Sequence, residues 1–141
     1  MSATAGFRRQ HDELETAAFE LLTHLVPGAP PLDSAEMRRK LARFTGKLKL
    51  HAAMEEEALY PRLLRHENES LRQTARALLD EVGSLYDEYF AFSARWLKAG
   101  AIEEDSRGFG EDLFRVLKVL GKRLRRENRE LYPLVDGLDP E

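Results

Sequence analysis

The chain has 141 residues, 43% of them hydrophobic, with a formal net charge of −3. That is the size of one domain, and the near-balanced charge gives no electrostatic case for nucleic acid or an anionic membrane. The absence of cysteine excludes disulfides, thiolate metal sites and cysteine nucleophiles.

No apolar run approaches the roughly 20 residues that span a bilayer. The stretch Met1 to Gln10 lacks the apolar core of a signal peptide. The expectation is a soluble cytoplasmic protein with no membrane and no nucleic-acid partner.

Four long segments carry helical periodicity, and none of useful length alternates as a strand does. The first is expected over about residues 5–26, with the seam Phe7, His11, Leu14, Ala18, Leu21, Leu25. Pro27-Gly28-Ala29-Pro30-Pro31 stops it. Asp33, with Glu36 three residues on, reads as a capping box. It opens a second helix over about 34–60, with seam Met37, Leu41, Phe44, Leu48, His51, Glu55, Leu59, and Pro61 ends or kinks it. A third spans about 70–99 with seam Leu71, Ala75, Leu78, Val82, Leu85, Tyr89, Phe92, Trp96, and Gly100 follows as a C-cap. A polar loop leads to a fourth over about 109–132, with seam Phe109, Leu113, Val116, Leu120, Arg123, Glu127, Leu131. Four such helices with short connections predict an all-α, up-down-up-down four-helix bundle spanning residues 1–141 as a single domain.

The chain repeats itself. A shift of 72 positions carries the second seam onto the fourth: Met37 onto Phe109, His51 onto Arg123, Glu55 onto Glu127, Leu59 onto Leu131. A shift of 71 carries the first onto the third, His11 falling on Val82. Both even-numbered helices close on Leu-Tyr-Pro, at Leu59-Tyr60-Pro61 and Leu131-Tyr132-Pro133.

Polar residues on an apolar seam are informative because burying them unpaired is costly. Five qualify: His11, His51, Glu55, Arg123 and Glu127. The repeat places them at one level. They read either as a metal site in a bundle core or as a satisfied polar cluster with Arg123 between Glu55 and Glu127. Tyr60 and Tyr132 read either as partners of those carboxylates or as aromatics closing the core. Tyr86, Tyr89, Phe90, Phe92 and Trp96 read as core, and His24 and His66 as surface residues. No Gly-rich phosphate loop and no serine beside a base is present.

The sequence His11-Asp12-Glu13, followed by His51-x3-Glu55-Glu56-Glu57-x-Leu59-Tyr60-Pro61 and its degraded copy near the C-terminus, resembles the hemerythrin-like, HHE cation-binding domains over nearly the whole chain. The resemblance implies a hemerythrin-like bundle holding a di-iron centre, with histidines from all four helices and bridging carboxylates from the second and fourth. It carries over His11, His51, Glu55 and Glu127 as metal ligands. Two positions depart from the pattern. Val82 stands where the third helix should supply a histidine, and Arg123 where the fourth should. Neither donates a lone pair to a metal, unless Glu81 or Asp80 replaces the third-helix ligand.

Three states are open: a full di-iron centre, a single iron on the four remaining ligands, and a core without metal in which Arg123 substitutes for the cation. The expected function is a non-enzymatic binding or regulatory module, with a protein partner and an incomplete di-iron site, rather than an oxygen carrier. The alternative is a sensor of oxygen, nitric oxide or redox state built on a single non-haem iron. Oxidase or peroxide chemistry is a third reading.

Overall fold

Carboxylate and amide side chains open three of the helices. Asp33 accepts from Glu36 N at 2.8 Å, Asn68 from Leu71 N at 3.0 Å, and Asp105 from Gly108 N at 2.9 Å. Each satisfies a donor that a helix start leaves unpaired. The Asp33 cap is the one the capping box predicts. The computed structural model describes residues 3–25 and 33–138. The helices are α1 (Ala5–Thr23), α2 (Ser34–Met54), α3 (Tyr60–Leu64), α4 (Glu69–Val82), α5 (Leu85–Trp96), α6 (Ala101–Glu104), α7 (Ser106–Arg126) and α8 (Tyr132–Leu138).

Among the described residues there is no strand, and the helices make four rods. The first is α1. The second is α2 running into α3 through the π turn Glu55–Leu59, and the fourth is α7 running into α8 through the π turn Glu127–Leu131. The third is α4 and α5, which follow one another across a break at Gly83 and Ser84. α1 packs on α2 and α7, and α5 packs on the same two helices. The rods therefore close into a ring of four, an all-α bundle. Thr4 ties its two ends together, donating to Asp136 from its backbone N at 3.1 Å and its hydroxyl at 2.8 Å. Among the described residues no helix is long and apolar enough to cross a membrane.

The rods differ from the sequence expectation at their ends. The second runs past Pro61 to Leu64, and the fourth begins at Ser106 and runs past Pro133. The prolines do not stop these helices because a π turn precedes each. In that wider turn Tyr60 N–H bonds Glu55 O, and Tyr132 N–H bonds Glu127 O. The turn relieves the crowding that a proline ring imposes on the carbonyl four residues back. The third rod is interrupted where a continuous helix is expected, and the polar loop contains α6. Gly100 takes φ +83°, the left-handed turn expected of it. The first helix ends at Thr23, and the expected end at Val26 and the Pro27–Pro31 linker lie outside the described residues.

The core is two apolar clusters rather than one. The larger contains Leu14, Leu41, Phe44, Tyr89, Trp96 and Leu120. The smaller contains Leu59, Leu63, Leu71, Val82, Leu131 and Val135. On each rod the polar seam residues fall between the two, so the bundle is an apolar block, a polar layer and a second apolar block. Leu120 is buried and Phe114 on the same helix is 58% exposed. Leu120→Ala should therefore cost about 2–5 kcal/mol in urea unfolding, and Phe114→Ala less than about 0.5 kcal/mol. Equal costs would mean that α7 is rotated from this placement.

Candidate metal centre

Every rod contributes to the polar layer. α1 supplies Gln10 and His11, and α2 supplies His51. The first π turn supplies Glu55, and α3 supplies Tyr60. α5 supplies Tyr86 and α7 supplies Arg123. The second π turn supplies Glu127 and Asn128, and α8 supplies Tyr132. His11, His51, Glu55, Arg123 and Glu127 are all buried, none more than 1% exposed.

The two imidazoles are held by amide oxygens. His51 Nδ1 lies 2.5 Å from Gln10 Oε1, and His11 Nδ1 lies 2.9 Å from Asn128 Oδ1. An amide oxygen only accepts, so each Nδ1 carries a hydrogen, and in a neutral ring the lone pair is then on Nε2. Those two Nε2 atoms face each other at 2.9 Å. His51 Nε2 also faces Glu55 Oε1 at 2.6 Å, and His11 Nε2 faces Glu127 Oε1 at 3.4 Å. Tyr132 donates to His11 Nε2 at 3.0 Å.

The outer side of the layer belongs to Arg123. Its Nε lies 3.5 Å from Glu127 Oε2 and its Nη2 4.0 Å from Glu55 Oε2. Nη1 donates to Gly83 O at 3.2 Å, a carbonyl at the break in the third rod. The guanidinium carbon sits 3.7 Å over the Tyr86 ring, a desolvated cation–π contact worth about 2 kcal/mol. Tyr86 donates to Glu55 Oε1, and Tyr60 donates to Glu127 Oε2 at 2.7 Å. Each carboxylate is thus split, one oxygen toward the imidazoles and the other toward Arg123.

Protonation follows from this layout. Burial pushes His51 down from 6.5 to about 4, against the Glu127 charge and with help from Arg123. Its imidazole is therefore neutral at pH 7. Burial and the neighbouring Glu55 push Glu127 up to about 7. Burial works against the Arg123 charge, but Tyr86, Glu127 and Glu55 outweigh it, and the guanidinium stays protonated. Burial, then the nearby carboxylates, hold Tyr60, Tyr86 and Tyr132 above their usual value, so all three remain donors.

The four residues singled out as ligands come together. One donor atom each from His11, His51, Glu55 and Glu127 lies within 4.8 Å of the others. For comparison, four donors about 2.1 Å from a tetrahedral ion stand about 3.4 Å apart. On the imidazole side Glu127 Oε1 has no hydrogen-bond partner. Lone pairs this close repel unless a positive charge lies among them, and one proton relieves only one such contact. The donor set therefore fits one ion. Beside this donor set the protonated guanidinium stands on the outer carboxylate oxygens.

Neither Asp80 nor Glu81, the replacements the sequence left open, joins the cluster. Asp80 is exposed, and Glu81 is exposed and pairs with Arg126 on the surface. A carboxylate there is free to stay in water, and nothing draws it inward. Val82 is buried in the smaller apolar cluster. The third rod instead presents Tyr86, one turn later, whose hydroxyl is long enough to reach Glu55. His24 and His66 lie away from the layer, His66 accepting from Asn68 N at 3.0 Å. Tyr60 takes the first of its two readings, donating to Glu127, whereas Tyr132 meets the His11 imidazole rather than a carboxylate. Gln10 and Asn128 carry no sequence signal beyond being the neighbours of His11 and Glu127. Their roles come from side chains crossing between rods.

A model of the hemerythrin HHE cation binding domain family matches residues 2–135. No curated protein and no solved structure matches the chain.

Two outcomes follow from the layer's charges. Arg123→Ala leaves two buried carboxylates without their cation and should cost about 3–5 kcal/mol in chelator-treated protein. A loss under about 0.5 kcal/mol in chemical denaturation would mean the layer does not need the charge. Glu127 holds its proton up to about 7 when folded, against 4.5 as a free carboxyl. Its stabilising contribution is therefore full below 4.5 and is lost as pH rises through 7. His51 has the opposite slope, losing its contribution as pH falls from 6.5 toward 4, but it is shared by wild type and variant. The stability of Glu127→Gln relative to wild type should rise between pH 4.5 and 7 and then level off. A pH-independent difference would contradict the raised carboxyl.

Proposed function

The chain belongs to the hemerythrin HHE cation-binding family, and from that premise we propose that it is a regulatory module built around one non-haem iron ion rather than two. His11, His51, Glu55 and Glu127 would hold the ion, and Arg123 stands as a fixed cation in place of the second. One observation supports this above the others: two imidazole Nε2 lone pairs, oriented by Gln10 and Asn128, meet at 2.9 Å in a buried site beside two carboxylates.

Iron bound there would supply one-electron chemistry. The chain's own residues set what surrounds it. Gln10 and Asn128 fix the ring tautomers, as amide or carboxylate partners do for metal-bound histidines. Tyr60, Tyr86 and Tyr132 keep their protons and fill the layer, excluding water. Arg123 keeps one positive charge against Glu55 and Glu127 whatever the state of the ion. Five surface clefts are lined by residues outside the four-ligand set. The signal read would be oxygen, nitric oxide or redox state. Loss of a two-ion site at Val82 and Arg123 is the reason for setting oxygen carriage aside. A cytoplasmic location and a protein partner that receives the signal complete the reading.

Metal analysis of protein purified and reconstituted with ferrous iron should find about one ion per chain, and none in His51→Ala. Two irons per chain, with the absorption of a bridged pair, would overturn the single-ion reading. So would no bound metal after reconstitution.

A further inference from the structure

We propose that Met54 is an oxidation site whose sulfur state is transmitted through Gln10 to His51. Met54 ends α2 and is 38% exposed, whereas Met37 is 5% exposed within the core. Gln10 reaches across from α1 with both ends of its amide in use. Its Nε2 donates to Met54 Sδ at 3.2 Å, and its Oε1 accepts from His51 Nδ1 at 2.5 Å. The amide is planar and rigid, so displacing one end moves the other. A cleft of about 80 Å³, lined by Gln10, Glu13, Leu14, Lys47 and Leu50, opens beside it. Gln10 is therefore the single side chain connecting an exposed thioether to a buried imidazole of the cluster.

The oxidant is hydrogen peroxide. The thioether sulfur attacks one peroxide oxygen and the O–O bond breaks. The sulfur keeps that oxygen and gives up two electrons, and the other oxygen leaves as water with both hydrogens. The product is methionine sulfoxide, which reductases return to the thioether. A thioether is a weak acceptor, and the sulfoxide oxygen is a strong one that projects beyond the sulfur. At 3.2 Å from nitrogen to sulfur there is no room for that oxygen in between. The amide must shift to make the new bond, and His51 Nδ1 loses its acceptor. Losing such a partner of a metal-bound histidine costs about 10–100-fold in metal affinity.

The metal arm of the test rests on the single-ion reading, and the nitrogen arm does not. Zinc, which does not change oxidation state, is titrated calorimetrically into chelator-treated protein before and after hydrogen peroxide. Peptide mass spectrometry locates the oxidised methionine. The ring nitrogens of His51 are followed by NMR without added metal. Oxidation of Met54 is expected to weaken zinc about ten-fold or more and to shift the His51 Nδ1 resonance. Methionine sulfoxide reductase should reverse both, and Met54→Leu should abolish both. The proposal is overturned if Met54 resists peroxide, if its oxidation leaves the His51 resonance unmoved, or if Met54→Leu responds as wild type does. Untreated protein that takes up no zinc would sink the single-ion reading alone, leaving the nitrogen shift to decide the link from Met54 to His51.

Discussion

Two buried carboxylates and one buried guanidinium share a single layer, and the rest of the molecule is arranged around keeping that layer satisfied. With both carboxylates ionised, Glu55, Glu127 and Arg123 fall one charge short of neutral, and the raised Glu127 carboxyl closes that gap by holding a proton. Burying such a set in apolar surroundings is expensive unless each group finds partners. The partners come from every rod: phenols from α3 and α5, imidazoles from α1 and α2, and a backbone carbonyl from the break in the third rod. The two apolar clusters above and below the layer hold the rods close enough for these contacts and keep water from competing with them.

Departures from helical regularity gather at this level. Both π turns begin on the carboxylates, and the third rod breaks at Gly83. The π turns place Glu55 and Tyr60, and likewise Glu127 and Tyr132, inward on one face of a continuing helix. The break turns Gly83 O toward Arg123 Nη1. Arg123 thus has a pocket made for it: a carbonyl at one end, a Tyr86 face beneath and two carboxylates beside. The layer has two unlike halves, imidazoles on one side and guanidinium on the other. The internal repeat makes that difference visible, because the same scaffold is used twice.

Much of the bundle was legible because its signals are local and repeated. The 3-and-4 spacing marked four amphipathic rods, Asp33 and Glu36 marked a start, and the 72-residue shift put the polar residues at one level. The candidate ligands were legible for the same reason, since a charged or imidazole group on an apolar stripe stands out. Helix ends were less so. Pro61 and Pro133 carry a strong stop signal, yet a wider turn absorbs the proline without ending the rod. Whether Asp80 or Glu81 joins the layer was not legible, for a related reason. Sequence position puts them near the layer, but an exposed carboxylate has no cause to leave water when a phenol can reach the site instead.

The sequence by itself determined the family, the all-α architecture and the identity of the groups that had to be buried, because periodicity and residue chemistry are properties of the chain alone. Only the tertiary structure decided what those groups face. Gln10 and Asn128 are unremarkable glutamine and asparagine until the packing of α1 on α2 and α7 sets their oxygens on two imidazoles. Tyr86 is one aromatic among several until the break at Gly83 orients it. Hydrogen bonds and charge contacts depend on distances of a few ångströms between residues far apart in the chain. No one-dimensional pattern encodes those distances.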